Sequence, residues 1–268
     1  MPFVSFVRAS VAVLFAPTLA FTQPTAKVED FVTVRKGSLP IVLSSPHGGR
    51  KSLPGISERV GAGVDKFVIA RDENTAELTE AIASELEKAF GGKPWVVIAR
   101  FERKQIDANR AADAAYESEA AKPHYEYYHA SLVEACKMVK DRFGRGILLD
   151  IHGQAAFKDS ICRGTQNGKT VKLLTDRFGK PAISGKDSLL GHLQAHGYVV
   201  RPSGDSDGPE EPKFNGGYIV GTYGSHTGSG IDAIQLEFGT DLRNKDVYRK
   251  TARDTAAAVK AFHAAYLK

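Results

Sequence analysis

Gly146-Ile147-Leu148-Leu149-Asp150-Ile151-His152-Gly153-Gln154 decides how the chain is read. An apolar run opened by glycine leads directly into an acid, a histidine and a second glycine. Such a run has the character of a buried strand, and its polar end is where that strand surfaces. Asp150 and His152 stand two residues apart, so on a strand they project from the same face. Three further stretches repeat the design: residues 41–45 followed by Pro46-His47-Gly48-Gly49-Arg50, residues 95–99 followed by Arg100, and Ala233-Ile234-Gln235-Leu236-Glu237-Phe238. In open α/β sheets the ligand site lies beyond the carboxyl ends of the strands. Two histidines, a glutamate and an arginine-rich segment are therefore expected along one edge of one sheet.

Outward from that stretch, strands and helices alternate. Strands are expected at 31–34, 41–45, 95–100, from Ile147 onward, and at 198–201, 218–220 and 233–238. A helix opens at Asp72-Glu73-Asn74, repeats Leu78, Ile82, Leu86 and Phe90 every fourth residue, and stops at Gly91-Gly92. A second, over 124–143, carries Tyr125, Tyr128, Leu132, Cys136 and Val139 on one face. A third runs near 186–195 and is stopped by His196-Gly197. The closing helix covers 246–266. Residues 159–174 read as a ribbon turning at Asn167-Gly168. Residues 202–217 form a long Gly, Pro and Asp loop, of a length that is usually functional or mobile. There is no internal repeat. The alternation predicts a single α/β domain, residues 30–268, on a doubly wound, mostly parallel sheet.

Bulk composition narrows the function. A length of 268 residues suits one large α/β domain, and 42% hydrophobic with 25% charged residues is ordinary for a globular protein. The net charge of +5 is spread over dispersed Lys and Arg residues. It fits an anionic small substrate or an anionic cell surface and gives no nucleic-acid patch. Cys136 and Cys162 form no CxxC pair or zinc spacing, so a metal must be held by histidine and carboxylate. A disulfide between them would require export, and Cys136 is equally well explained as a small buried hydrophobe. The N-terminus has the form of a signal peptide: Arg8, the apolar run Val11-Ala12-Val13-Leu14-Phe15-Ala16, then Thr18-Leu19-Ala20. The division expected is a signal peptide over 1–22, a linker over 23–29 and a periplasmic or secreted domain. The apolar run is shorter than the about 20 residues a membrane span needs, so no stable membrane insertion is expected. Oligomeric state is not legible.

The chemistry resides in few residues. His47 and His152 each end a strand and each precede glycine, the context a metal ligand needs for a fixed ring and an open approach. His124, His129, His192, His196, His226 and His263 lack that context and read as structural. A catalytic zinc commonly takes three protein ligands and keeps one position open. Asp72 and Glu73 lead for the third, with Glu58 and Asp65 behind them, while Asp72 reads as readily as a helix N-cap. Asp150 is placed to orient His152. Glu237 lies in an apolar strand, where a carboxylate is costly without a partner or a task. The task available is general base, taking a proton from water and passing it to a leaving amine. Arg103, Asp107, Asn109 and Arg110 form a cationic side suited to a substrate carboxylate, with Asp107 steadying the arginine.

These pieces resemble the N-formylglutamate amidohydrolase family, relatives of the zinc carboxypeptidases. The resemblance is carried by Ser45-Pro46-His47-Gly48-Gly49, Asp72, the Asp-x-Asn-Arg of 107–110, Asp150-Ile151-His152-Gly153, Gly216-Gly217-Tyr218 and Ile234-Gln235-Leu236-Glu237. It implies a phosphorylase/hydrolase-like, zinc carboxypeptidase-like α/β fold and one zinc ion on His47, Asp72 and His152. It also implies Glu237 as the base, and Arg103, Asn109, Arg110 and Tyr218 as substrate-binding residues. The implied reaction is hydrolysis of an amide in an N-acyl amino acid or small peptide bearing a free carboxylate. The chain departs from carboxypeptidases at Arg50, where they place a glutamate three residues after the first histidine. The export expected from the N-terminus would set it apart from cytoplasmic histidine catabolism. An exported carboxypeptidase or peptidoglycan-trimming peptidase, and a non-catalytic anion-binding protein, are the alternatives. Glu237 separates the last, since an anion-binding module gains nothing from a buried carboxylate in its pocket.

Overall fold

The computed structural model describes residues 1–3, 5, 26–228 and 230–268, so the expected signal peptide falls almost wholly outside the described residues. Chain order runs β1 (Val32–Arg35), β2 (Ile41–Ser45), α1 (Thr75–Phe90), β3 (Trp95–Ala99), α2 (Ala112–Ala115), α3 (Lys122–Phe143), β4 (Ile147–Gln154), β5 (Ser160–Gly164), α4 (Lys172–Phe178), α5 (Pro181–Ser184), α6 (Leu189–Ala195), β6 (Val199–Arg201), α7 (Tyr218–Tyr223), β7 (Asp232–Gly239) and α8 (Tyr248–Tyr266). The strands form one seven-stranded sheet in the order β1-β3-β2-β4-β7-β5-β6. Its centre, β3-β2-β4-β7, is parallel. The flanks are reversed: β1 is antiparallel to β3, β5 is antiparallel to β7, and β6 runs parallel to β5.

Every residue of β2, β3 and β7 is buried. That is the pattern of strands covered on both faces, and it explains their continuous apolar runs. On one face Ile41, Leu43, Ile98, Leu149 and Leu236 pack with Leu78, Ile82 and Leu86 of α1 and Val259 and Phe262 of α8. On the other, Val42, Val97, Leu148 and Ala233 pack with Tyr125, Tyr128, Leu132 and Val139 of α3 and Ile219, Val220 and Tyr223 of α7. Strand parity then places Asp150 and His152, and Gln235 and Glu237, on this second face. Parallel pairing sets His152 opposite Glu237.

Two expected elements take other forms. Residues 218–220 are the first turn of α7 and not a strand. Ile219, Val220 and Tyr223 share a helical face against α3, and three apolar residues are too few for either period to be read. The ribbon over 159–174 is half strand: β5 pairs with β7 and β6, and after the left-handed Gln166, Asn167 and Gly168 the chain enters α4. Val171 and Leu174 are drawn into the core at helical spacing. The expectation that Asp72 caps α1 is also corrected. Asn74 holds the N-cap position, in a left-handed conformation (φ 61°) that asparagine tolerates. Both cysteines are free and buried.

Candidate functional site

His47 follows β2, Asp72 precedes α1 and His152 lies in β4, yet all three are buried together. Their potential ligand atoms lie within 4.8 Å of one another, among the described residues the group of His, Cys, Asp and Glu suited to a metal ion. Asp72 Oδ2 is 3.4 Å from His47 Nδ1 and 3.5 Å from His152 Nδ1. Two ligands at tetrahedral positions about 2.0–2.1 Å from one ion stand roughly 3.3–3.4 Å apart, so the spacing suits a shared ion better than direct hydrogen bonds.

The opposite edge of each ring is fixed. His47 Nε2 donates to Asp107 Oδ1 at 2.6 Å and His152 Nε2 donates to Asp150 Oδ2 at 2.7 Å. A carboxylate fixes the tautomer of the ring that faces it, so both Nδ1 atoms are turned toward Asp72. His47 Nδ1 is buried without a hydrogen-bond partner. The supports are themselves supported: Ser44 Oγ donates to Asp150 Oδ1 at 2.5 Å, while Arg103 Nη2 lies 3.1 Å from Asp107 Oδ2. Asp72 accepts from Gly153 N at 3.0 Å and meets Arg103 Nη1 at 3.3 Å.

The charges answer to this crowding. Burial works to raise Asp72, but the facing imidazoles of His152 and His47 prevail and hold it well below the usual carboxylate range. Burial works to lower His152, and Asp150 first, with Asp72 and Glu237, outweighs it and raises the ring well above its ordinary value. Asp107 is lowered, its burial overcome by His47, Arg103 and Arg59. Glu237 differs. Its Oε1 lies 3.9 Å from His152 Nδ1, and burial raises it to about 7 against the pull of His152.

A crystal structure of N-formylglutamate amidohydrolase from Ralstonia eutropha JMP134 aligns with a TM-score of 0.62 over 88% of this chain and 97% of that one, at 18% identity. The fold is that of an N-formylglutamate amidohydrolase. A gene product of Agrobacterium tumefaciens has it too, with a TM-score of 0.54 over 88% of this chain and 96% of its own at 16% identity. No protein-family model and no curated protein sequence matches the chain.

On this amidohydrolase fold the other expected residues sit as follows. Glu73 is exposed and pairs with Arg71 and Arg50, and Glu58 is exposed and pairs with Lys104, so neither enters the His47–His152 group. Asp65 is exposed as well. Arg103 is 13% exposed and lies between the carboxylates of Asp72 and Asp107. Arg110 is 32% exposed, with Nη2 donating to the Lys66 carbonyl at 2.9 Å and Nε 4.0 Å from Asp107, so Nη1 is not engaged by either contact. Asn109 is held by the backbone: its Oδ1 accepts from Ile219 N at 2.8 Å. Tyr218 opens α7, half-buried, its ring 5.6 Å from that of His129.

The glycines after the two histidines have a different reason from an open approach. A Cβ on Gly48 would lie 2.4 Å from Ala76 N, and one on Gly153 would lie 2.5 Å from Arg243 Nε. They let α1 and Arg243 close against the strand ends. Arg243 is nearly buried and ties Phe238 O, Glu73 O and Gln154 O together. Neither it nor the support given by Ser44 has a local sequence signal.

Proposed function

We propose that this chain is a zinc-dependent amidohydrolase that cleaves the amide of an N-acyl amino acid or small peptide carrying a free carboxylate. The observation that carries the reading is Glu237, a buried carboxylate of raised pKa beside a buried His-Asp-His group. Two imidazoles and one carboxylate, with no thiolate, suit zinc and leave a position for substrate. A zinc ion there supplies Lewis acidity toward the scissile carbonyl and the attacking water.

The chain's own residues do the rest. Asp107 and Asp150 keep both imidazoles oriented. Glu237, largely screened from bulk solvent, takes a proton from the attacking water and returns it to the leaving nitrogen. Arg110 receives the substrate carboxylate, since Arg103 is already engaged by two carboxylates of the protein. An anion-binding role alone leaves Glu237 unexplained, because a buried carboxylate opposes anion binding.

The test is metal analysis of the purified protein followed by hydrolysis assays on a panel of N-acyl amino acids and peptides, with their C-terminal amides alongside. Arg110→Ala is expected to weaken carboxylate-bearing substrates by about 1.5–3 kcal/mol, the scale of a hydrogen bond to a charged group, and to leave the amides nearly unchanged. Equal losses on both would make Arg110 structural, and a panel without turnover in a metal-replete protein would end the reading.

Metal loading carries its own pH dependence. In the metal-free protein Asp150 first, with Asp72 and Glu237, favours the protonated His152 ring. An ion competes with protons for the ligand atoms, so loading is expected to release protons and to weaken as pH falls. Calorimetric titration in two buffers of different ionisation enthalpy measures that release. Identical heats in both would contradict it.

A further inference from the structure

Gln235 stands two residues before Glu237 on β7, so both side chains leave the same face of the sheet. It is 4% exposed, in a fully buried strand whose other polar members are Asp232 and Glu237. A buried amide is costly unless both its ends are paired. Here they are. Its Oε1 accepts from Gly217 N at 2.8 Å and from Asn109 Nδ2 at 3.4 Å, while its Nε2 donates to Glu237 Oε1 at 2.9 Å. The amide has no choice of orientation: a backbone nitrogen can only donate, so the amide oxygen must face Gly217 and the NH2 group must face the carboxylate.

Asn109 is fixed in turn. Its Oδ1 accepts from Ile219 N at 2.8 Å and its backbone nitrogen donates to Asp107 Oδ1 at 3.0 Å, the atom that also accepts from His47 Nε2. Hydrogen bonds thus run unbroken from His47 through Asp107, Asn109 and Gln235 to Glu237. Among the described residues, Gln235 is the hydrogen-bond donor to Glu237, and no hydrogen bond engages Glu237 Oε2.

We propose that Gln235 is a positioning residue for the base. Its NH2 group holds Oε1 of Glu237 so that Oε2 is presented to the reacting atoms. Its oxygen locks that arrangement to the backbone at Gly217, next to Tyr218. The inference rests on the reading of Glu237 as the base, and it names the group that keeps the carboxylate in register with the substrate side of the site.

Four variants test it: Gln235→Met, which fills the space without either bond; Gln235→Glu, which keeps an acceptor for Gly217 but sets an oxygen against Glu237; Glu237→Gln; and the double variant Gln235→Met/Glu237→Gln. Each is compared with wild type on the best substrate of the panel. Both single changes at 235 are expected to lower kcat by about 10- to 100-fold, the scale of a roughly 1 Å misplacement, with KM changed less than about threefold. In the double variant the change at 235 is expected to cost no more than about twofold beyond Glu237→Gln, because no base remains to be positioned. Amide exchange at Gly217 reads the other end: protection is expected to persist in Gln235→Glu and to fall in Gln235→Met.

Wild-type kcat in Gln235→Met, a loss confined to KM, or additive losses in the double variant would each overturn the proposal. Near-normal turnover in Glu237→Gln alone would instead remove the base itself, which keeps the two failures apart.

Discussion

Glu237→Gln is expected to fold and to keep its metal while turnover falls by about two to four orders of magnitude, the range for a lost acid–base group. The amide is isosteric and its oxygen can still accept from Gln235 Nε2, so the hydrogen-bond chain through Asn109 survives. What is lost is the capacity to carry a proton between water and the leaving nitrogen. An amine leaves poorly as an anion, and no other carboxylate near His152 is free. Asp72 lies between the two rings and Gly153 N, and both oxygens of Asp150 are already engaged, by Ser44 and His152. The pH profile provides a second readout. Burial raises Glu237 from 4.5 to about 7, and a bound cation pulls it back down, so the acid limb falls between those values. A base works deprotonated, so the wild-type rate rises with pH through that limb, and the limb is absent from the variant. Metal loss in Glu237→Gln would make Glu237 a ligand. Near-normal turnover would assign the base elsewhere.

How much of this was legible depends on the range of the interaction that decides each feature. β2 and the start of β4 lie where the apolar runs put them, because strands covered on both faces write their burial into consecutive residues. The gathering of His47, His152 and Glu237 at one edge followed from parallel pairing, which aligns strand ends. The third member of the group was not legible in the same way. Asp72 and Glu73 are adjacent at the opening of one helix, and what separates them is remote: the Gly153 N–H and the Arg103 guanidinium reach Asp72, whereas Glu73 turns outward to Arg50 and Arg71. Asp107 was read as the partner of an arginine, which it is, but its bond to His47 spans 60 residues and leaves no local trace. The pairing of Gln235 with Glu237 was within reach, since strand parity alone puts them on one face. The six residues of α7 offered too little period to be told from a strand.

Removal of one imidazole is expected to abolish stoichiometric metal, and the choice of imidazole decides whether the result can be interpreted. His152→Ala strips Asp150, which is 0% exposed, of a partner and leaves it only Ser44. A buried carboxylate stripped of a partner commonly costs about 3–5 kcal/mol, so lost metal in that variant would be confounded with lost structure. His47→Ala avoids this. Asp107 keeps Arg103 at 3.1 Å and the Asn109 N–H at 3.0 Å, so its charge remains paired once the ring is gone. His47→Ala is therefore expected to unfold cooperatively near the wild-type temperature, to bind less than one metal per chain after dialysis, and to lose affinity by more than the roughly 10- to 100-fold typical of an outer supporting residue. Asp107→Asn provides that smaller reference, since it weakens the orientation of His47 without removing its Nδ1. Elemental analysis and metal titration of the two proteins give the ranking directly. Full metal retention in His47→Ala, or a larger loss in Asp107→Asn, would show that His47 orients its neighbours without binding the ion.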